Sequence, residues 1–204
     1  MPVLPPELLA AVIAEAKPLG LTGVKLTGGE PLLHPDIHAI LDLLAAEGLE
    51  LTMETNGVLC PSRIADQIAA FPSSFVSVSL DSPDRATHDR LRGSQGAFAE
   101  TIQGIRNLTG RHVPTQIIMS LMQVNIDRIE QMIALARELG AASLKFNLVQ
   151  PIGRGRHLHA GDQALAVGEL IDLGRRIDRE LAPRAGLPLY FDCPPAFKSL
   201  QHLA

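Results

Sequence analysis

The residues with the most chemical content are Gly28, Gly29, Glu30 and Pro31, which end a short apolar run at Val24–Thr27 and precede a helical pattern. Two adjacent glycines let a backbone turn sharply and come close to a ligand. The carboxylate beside them, at the C-terminal end of a strand, is placed to hold a cation, and in α/β folds ligands bind at that end. Further along, Asn56-Gly57 is a turn signal directly after a strand pattern. Ser79 and Asp81 share one face of another strand. His34 and His38 have helical i, i+4 spacing but lack the Glu of a zinc-protease motif, so they read as surface histidines. Cys60 and Cys193 are the only cysteines. They are too few and too far apart for a disulfide framework, and the default compartment is a reducing cytoplasm.

These residues need a scaffold, and the chain is long enough to supply one. It has 204 residues, 46% hydrophobic and 20% charged, a globular balance with room for one sizeable core. The net charge of −4 argues against a nucleic-acid surface, and no apolar run is long enough to span a membrane. Helical and strand periods alternate along it. Apolar residues at Leu8, Leu9, Val12, Ile13 and Ala16 predict a first helix, and Val24–Thr27 a strand. Ile37, Ile40, Leu41 and Leu44 predict the next helix, and Leu49–Thr55 the next strand. Ile64, Ile68 and Ala69 predict a third helix before strand Phe75–Leu80. The helix through Phe98, Ile102, Ile105 and Leu108 precedes strand Thr115–Met122. The helix from Ile126 to Leu139 precedes strand Ser143–Val149. A last long helix is expected over Leu165–Leu181, with a further short strand at Leu187–Phe191.

Alternation without hairpin signals predicts a parallel sheet with right-handed crossovers. Five main strands fall short of the eight that a closed barrel of about 250 residues requires, which leaves an open partial barrel or a doubly wound sheet. Strand faces favour the first. Thr52, Glu54 and Asn56 share one face, as do Ser77, Ser79 and Asp81, and Ser143, Lys145 and Asn147. Leu51, Met53, Val76, Val78, Leu80, Leu144, Phe146 and Leu148 occupy the opposite faces. A closed small barrel fills its interior with Val, Ile and Leu, whereas three polar faces imply a wide wet interior or a solvated sheet surface.

Taken in order, these segments resemble the radical S-adenosylmethionine (SAM) enzymes. Leu26-Thr27-Gly28-Gly29-Glu30-Pro31-Leu32-Leu33 is similar to the SAM-binding motif, and Glu54-Thr55-Asn56-Gly57 to the turn after the family's third strand. Val78–Ser82 and then His88–Gly93 resemble the fourth strand and its following loop. Met122–Ile129 resembles the region after the fifth strand, and Gln150–Gly155 the loop after the sixth. The resemblance implies an open partial (β/α)6 TIM-type barrel. It implies that Gly28, Gly29, Glu30 and Pro31 orient the methionyl end of SAM. It places Asn56 near the same cavity and gives the ribose hydroxyls to Ser79 and Asp81. Backbone at Val124, Ile152 and Gly153 would flank adenine.

The family holds a [4Fe–4S] cluster on Cys-x3-Cys-x2-Cys between its first strand and first helix, and no cysteine lies upstream of Gly28 in this chain. The expectation is therefore a barrel that lacks its first strand and cluster loop, with the cluster belonging to an intact parent. Asp192-Cys193-Pro194-Pro195 resembles the entry to a SPASM extension, which binds auxiliary clusters. That gives a radical SAM core over 1–186 and the start of a SPASM-like extension over 187–204, with Cys193 as an auxiliary-cluster ligand. In the intact parent, the resemblance implies reductive cleavage of SAM to a 5′-deoxyadenosyl radical that modifies a peptide or protein side chain. A flavodoxin or ferredoxin would supply the electron. No residue is identified as the acid or base for the substrate. Two alternatives stay open: a cluster-free SAM- or peptide-binding module, and an unrelated open-barrel enzyme. The second lacks a phosphate fingerprint of the G-x-G-x-x-G kind.

Overall fold

The computed structural model describes residues 3–149 and 163–192. Six strands form one sheet: β1 (Gly23–Leu26), β2 (Glu50–Thr55), β3 (Ser74–Ser79), β4 (Thr115–Leu121), β5 (Ser143–Leu148) and β6 (Leu189–Asp192). Their spatial order is β1-β2-β3-β4-β5-β6, with parallel pairing in β1–β2, β2–β3, β4–β5 and β5–β6. This order decides between the two architectures left open by the sequence. A doubly wound sheet reverses direction at a switch point, and here the order never reverses. The short strand expected near residue 190 is real, so the sheet has six strands rather than five.

Contacts divide the chain into two units. The first comprises residues 1–78 and 100–115. It contains α1 (Pro6–Ala16), α2 (Ile37–Ala46) and α3 (Ser62–Ala69) beside β1, β2 and most of β3. Helix α2 buries Ile37, Ile40, Leu41 and Leu44, an i, i+3, i+4, i+7 stripe. Helix α3 buries Ile64, Ala65 and Ile68. They cover the sheet face carrying Leu51, Met53, Val76 and Val78, each at most 1% exposed. Most of α5 (Ala97–Thr109) belongs to this unit and adds Ile105 and Leu108 to the core. Helix α1 departs from expectation. Its apolar stripe is present, but only Ile13 is buried, while Leu8 and Val12 are each 52% exposed. The physical reason is position: β1 ends the strand order, and the sheet area available beside it is small.

The second unit comprises residues 79–99 and 116–204. It contains α4 (Arg85–Arg92), β5, β6, most of β4, α6 (Ile129–Glu138) and α7 (Val167–Arg176). Helix α6 buries Ile129, Met132, Ile133 and Ala136. Helix α7 is shorter than expected: it runs into a π-helical turn at Ile177–Leu181 that buries both end residues. Helix α4 corrects the reading of residues 88–92 as loop. It has little apolar periodicity and forms because its ends are well capped. The Asp84 carboxylate accepts from Thr87 N–H at 2.8 Å, and Gly93 closes the helix with φ +66°.

Candidate functional site

In the first unit, β1 and β2 each run into a loop, and Glu30 fastens the two loops to each other. Gly28 adopts φ +127°, where side chains are rarely tolerated. Glu30 returns to extended backbone (φ −140°) and starts a single 3₁₀ turn, Pro31–Leu33. Pro31 suits its first position because no N–H is needed there. The carboxylate accepts three hydrogen bonds. Oε1 receives Leu32 N–H at 3.1 Å and the Thr55 hydroxyl at 2.6 Å, while Oε2 receives Asn56 N–H at 2.7 Å. A carboxylate has about four acceptor sites, so most of its capacity is consumed by protein. The side chain pins the loop. Asn56 lies half-buried in the second of these loops. Its Oδ1 accepts Val58 N–H at 2.9 Å and closes an Asx turn.

The turn itself is cradled by α5. Thr101 Oγ1 donates to Asn56 O at 2.9 Å, and Asn107 Nδ2 donates to Cys60 O at 2.9 Å. Between them Gly104 lets the helix approach so closely that a Cβ there would lie 2.1 Å from Gly57 O. On the opposite face of β2, Glu54 takes Lys25 Nζ at 2.6 Å and Thr27 Oγ1 at 3.2 Å. Cys60 is 2% exposed, and burial pushes its thiol up to about 12, so it stays protonated near neutrality. His34 Nε2 pairs with Leu4 O, and His38 Nδ1 with Gln67 Oε1. Both are half-buried and serve local packing.

In the second unit, the expected ribose residues meet different fates. Ser79 is half-buried at the end of β3. Asp81 is 6% exposed, and both carboxylate oxygens are engaged. Oδ1 accepts Ser120 N–H at 3.0 Å, and Oδ2 pairs with an Arg92 Nη at 2.9 Å. Asp81 is therefore a tie between strand ends. Asn125, fully buried, completes the tie. Its Nδ2 donates to Asp81 O at 2.8 Å and to Ser120 O at 2.9 Å, and its Oδ1 accepts Met122 N–H at 2.8 Å. Val124 sits half-buried inside this fastened loop. The loop is also tied by Gln123, whose N–H donates to Gln163 O at 2.9 Å and whose Nε2 donates to the Glu169 carboxylate.

His88 is fully buried and accepts Asp81 N–H on Nδ1 at 3.2 Å. The proton therefore sits on Nε2, which has no hydrogen-bond partner among the described residues. Burial, and then the Arg92 cation, hold this imidazole below its ordinary value, against the opposing pull of Asp81 and Asp89. The Asp89 carboxylate is held low by hydrogen bonds from Phe98 N–H and Gly96 N–H, each 2.8 Å. Ile152, Gly153 and Cys193 lie outside the described residues.

Thr55, Arg92 and Asn125 are the residues that sequence reasoning passed over. For Thr55 a signal was present: it continues the buried face Leu51-Met53 where an apolar residue is the norm. Among the described residues, no group of three His, Cys, Asp or Glu side chains is arranged to hold a metal ion, and no helix is long and apolar enough to cross a membrane.

A six-stranded α/β sheet whose strands follow one another in chain order is a partial-barrel architecture. The family model for the radical SAM superfamily matches residues 1–136, and the chain belongs to that superfamily. It is 36% identical over 143 residues to an AdoMet-dependent heme synthase of Methanosarcina barkeri, covering 70% of this chain and 41% of that protein. It is 31% identical over 140 residues to the antilisterial bacteriocin subtilosin biosynthesis protein AlbA of Bacillus subtilis, covering 68% and 31%. The match thus spans 41% and 31% of the length of these two relatives. Streptococcus suis SuiB, solved with its precursor peptide SuiA, shares the fold: TM-score 0.80 at 16% identity, covering 97% of this chain and 44% of SuiB.

Proposed function

We propose that this chain is the SAM-binding core of a radical SAM enzyme that, when intact, cleaves SAM reductively and modifies a peptide or protein side chain. The observation that carries the SAM reading is Gly29. Gly28 needs its glycine for φ +127°, but Gly29 has no such need, and a Cβ there would meet nothing within 4 Å. The protein itself makes no demand for a bare backbone at that position, whereas a ligand lying against the strand end does. Gly28, Gly29, Glu30 and Pro31 hold the methionyl end, with Asn56 shaping the adjoining turn. Ser79 reads the ribose, and Asp81 fixes the strand end beside it. Backbone at Val124, Ile152 and Gly153 flanks adenine.

SAM next to a one-electron donor supplies hydrogen-atom abstraction from unactivated carbon, and this chain's share of that work is binding, orientation and exclusion of water. A [4Fe–4S] cluster requires thiolates. The chain has two cysteines, one of them buried with its thiol pushed up to about 12. The residues present do not fit the cluster, whose ligands would be other than these 204 residues. The segment 187–204 is assigned as entry to a SPASM-like extension, with Cys193 as an auxiliary ligand. The peptide assignment is supported by AlbA's part in bacteriocin biosynthesis and by the peptide seated on SuiB. A cytoplasmic flavodoxin or ferredoxin is the proposed reductant.

Calorimetric titration of the chain with SAM tests the reading. Saturable 1:1 binding is expected, abolished by Gly29→Val at an unchanged melting temperature. No saturation at millimolar SAM, or equal binding by G29V, overturns it.

A further inference from the structure

We infer that Thr55 is a positioning residue for the amino-acid end of SAM, acting through Glu30; this rests on the SAM-binding reading above. Thr55 is 4% exposed on the helix-covered face of β2, in line with Leu51 and Met53 and opposite Val78. Valine, its isostere, would pack there as well. The hydroxyl has two uses, both in the candidate site. It accepts Gly57 N–H at 3.0 Å, and since an amide N–H can only donate, the hydroxyl proton is left for Glu30 Oε1 at 2.6 Å. That is a short, charge-assisted bond.

The consequences run in both directions along the chain. Toward the C-terminus, the hydroxyl holds Gly57 N–H and so the turn whose Asn56 N–H reaches Glu30 Oε2 at 2.7 Å. Toward the N-terminus, it fixes the carboxylate directly following Gly28-Gly29, with Leu32 N–H as the second donor on Oε1. Without the hydroxyl, Oε1 keeps one donor and Gly57 N–H is buried without a partner. The carboxylate can then rotate and the Gly28-Gly29 backbone loses its fixed presentation. Thr55 touches no ligand in this scheme. It acts only on the loop that meets the amino-acid end.

That selectivity supplies the test. SAM and 5′-methylthioadenosine share the adenosine and the S-methyl group, but the second is a neutral thioether and lacks the amino-acid arm. The full chain and its Thr55→Val and Thr55→Ser variants are titrated with each by calorimetry. Loss of a hydrogen bond to a charged group predicts weakening of SAM by T55V of about tenfold or more. Binding of 5′-methylthioadenosine should stay within about twofold, and T55S should restore SAM affinity. Equal weakening of both ligands, or none, overturns the inference. Amide exchange of Leu32, Asn56 and Gly57 without ligand separates the two levels. Faster exchange in T55V, not in T55S, shows the clamp even where wild type binds no SAM, and that last result sinks the SAM reading and this inference with it. Should T55V not fold, Thr55→Ala also removes the hydroxyl and carries the same expectation for the two ligands.

Discussion

Substitution of Gly104 by alanine sets helix propensity against geometry, and the structure says geometry wins. In an unconstrained helix interior, alanine is favoured over glycine by about 1 kcal/mol. At position 104 the new Cβ would lie 2.1 Å from Gly57 O, 3.1 Å from Gly57 C and 3.2 Å from Cys60 Cβ. The first contact is with main chain, which cannot rotate away as a flexible side chain could. Relief needs α5 or the Asn56–Cys60 turn to move by roughly 1 Å to reach ordinary contact, and overpacking of this kind costs about 1–3 kcal/mol. The movement also stretches the Thr101 Oγ1 to Asn56 O bond, now 2.9 Å. That bond is worth about 1 kcal/mol. About one to three against, one more against and one in favour leave a net loss of about 1–3 kcal/mol, with a midpoint of about 2 kcal/mol.

For a chain of this length such a loss lowers the melting temperature by roughly 4–8 °C. Thermal and urea unfolding followed by circular dichroism measure it. Gly168→Ala in α7 is the control, since a Cβ there meets nothing within 4 Å. It should be neutral or stabilising by up to about 1 kcal/mol. A Gly104→Ala protein that melts at or above wild type would refute the claim that α5 seats the turn by backbone contact.

Other outcomes follow from the second unit. Asn125→Ala removes three hydrogen bonds from a fully buried side chain and strands Met122 N–H, so urea unfolding should show a loss of about 2–4 kcal/mol; a change below about 0.5 kcal/mol would count against the tie. His88 makes stability pH-dependent. Its folded pKa is lowered by burial and Arg92, so at pH values below the unfolded histidine's value of about 6.5 the unfolded chain binds the extra proton. Stability from this group is complete above that value and falls as pH drops through the window beneath it, by at most about 1.4 kcal/mol per pH unit. His88→Asn, whose Oδ1 can still accept Asp81 N–H, should flatten that slope in urea titrations between pH 7 and 5, and an unchanged slope would assign it elsewhere.

The fold was legible because its two periods are clean. Ile37, Ile40, Leu41 and Leu44 mark a helix, and Leu51-Met53 against Thr52-Glu54 a strand, with burial following the pattern residue by residue. What the sequence left open, barrel or doubly wound sheet, depends on strand order, which no local pattern encodes. Helix α4 was missed because its sequence, Arg85–Arg92, has a single buried residue, His88. It is stabilised by end caps and by what its residues hold, not by an apolar stripe. Helix α1 was misjudged in the other direction. An apolar stripe states what a helix can bury, and the neighbouring sheet decides how much it does.

The loops after the strands were legible in the sequence, the partners of their acidic residues were not, and one physical cause covers both units. The carboxylates that the motifs place near strand ends and in helix α4 are taken by main-chain N–H groups of the same unit. Glu30 holds Leu32 and Asn56, Asp81 holds Ser120, and Asp89 holds Gly96 and Phe98. Loops at the ends of parallel strands carry amides that no ladder can pair, and such groups must find acceptors when buried. An ionised carboxylate is the strongest acceptor available and accepts several at once. Acidic residues in these motifs therefore solve a folding problem first. What they leave for a ligand is backbone already fixed in place, small residues and half-buried hydroxyls such as Ser79. A reading of the sequence by charge alone leaves these carboxylates open, whereas their hydrogen bonds show each of them already holding main chain still.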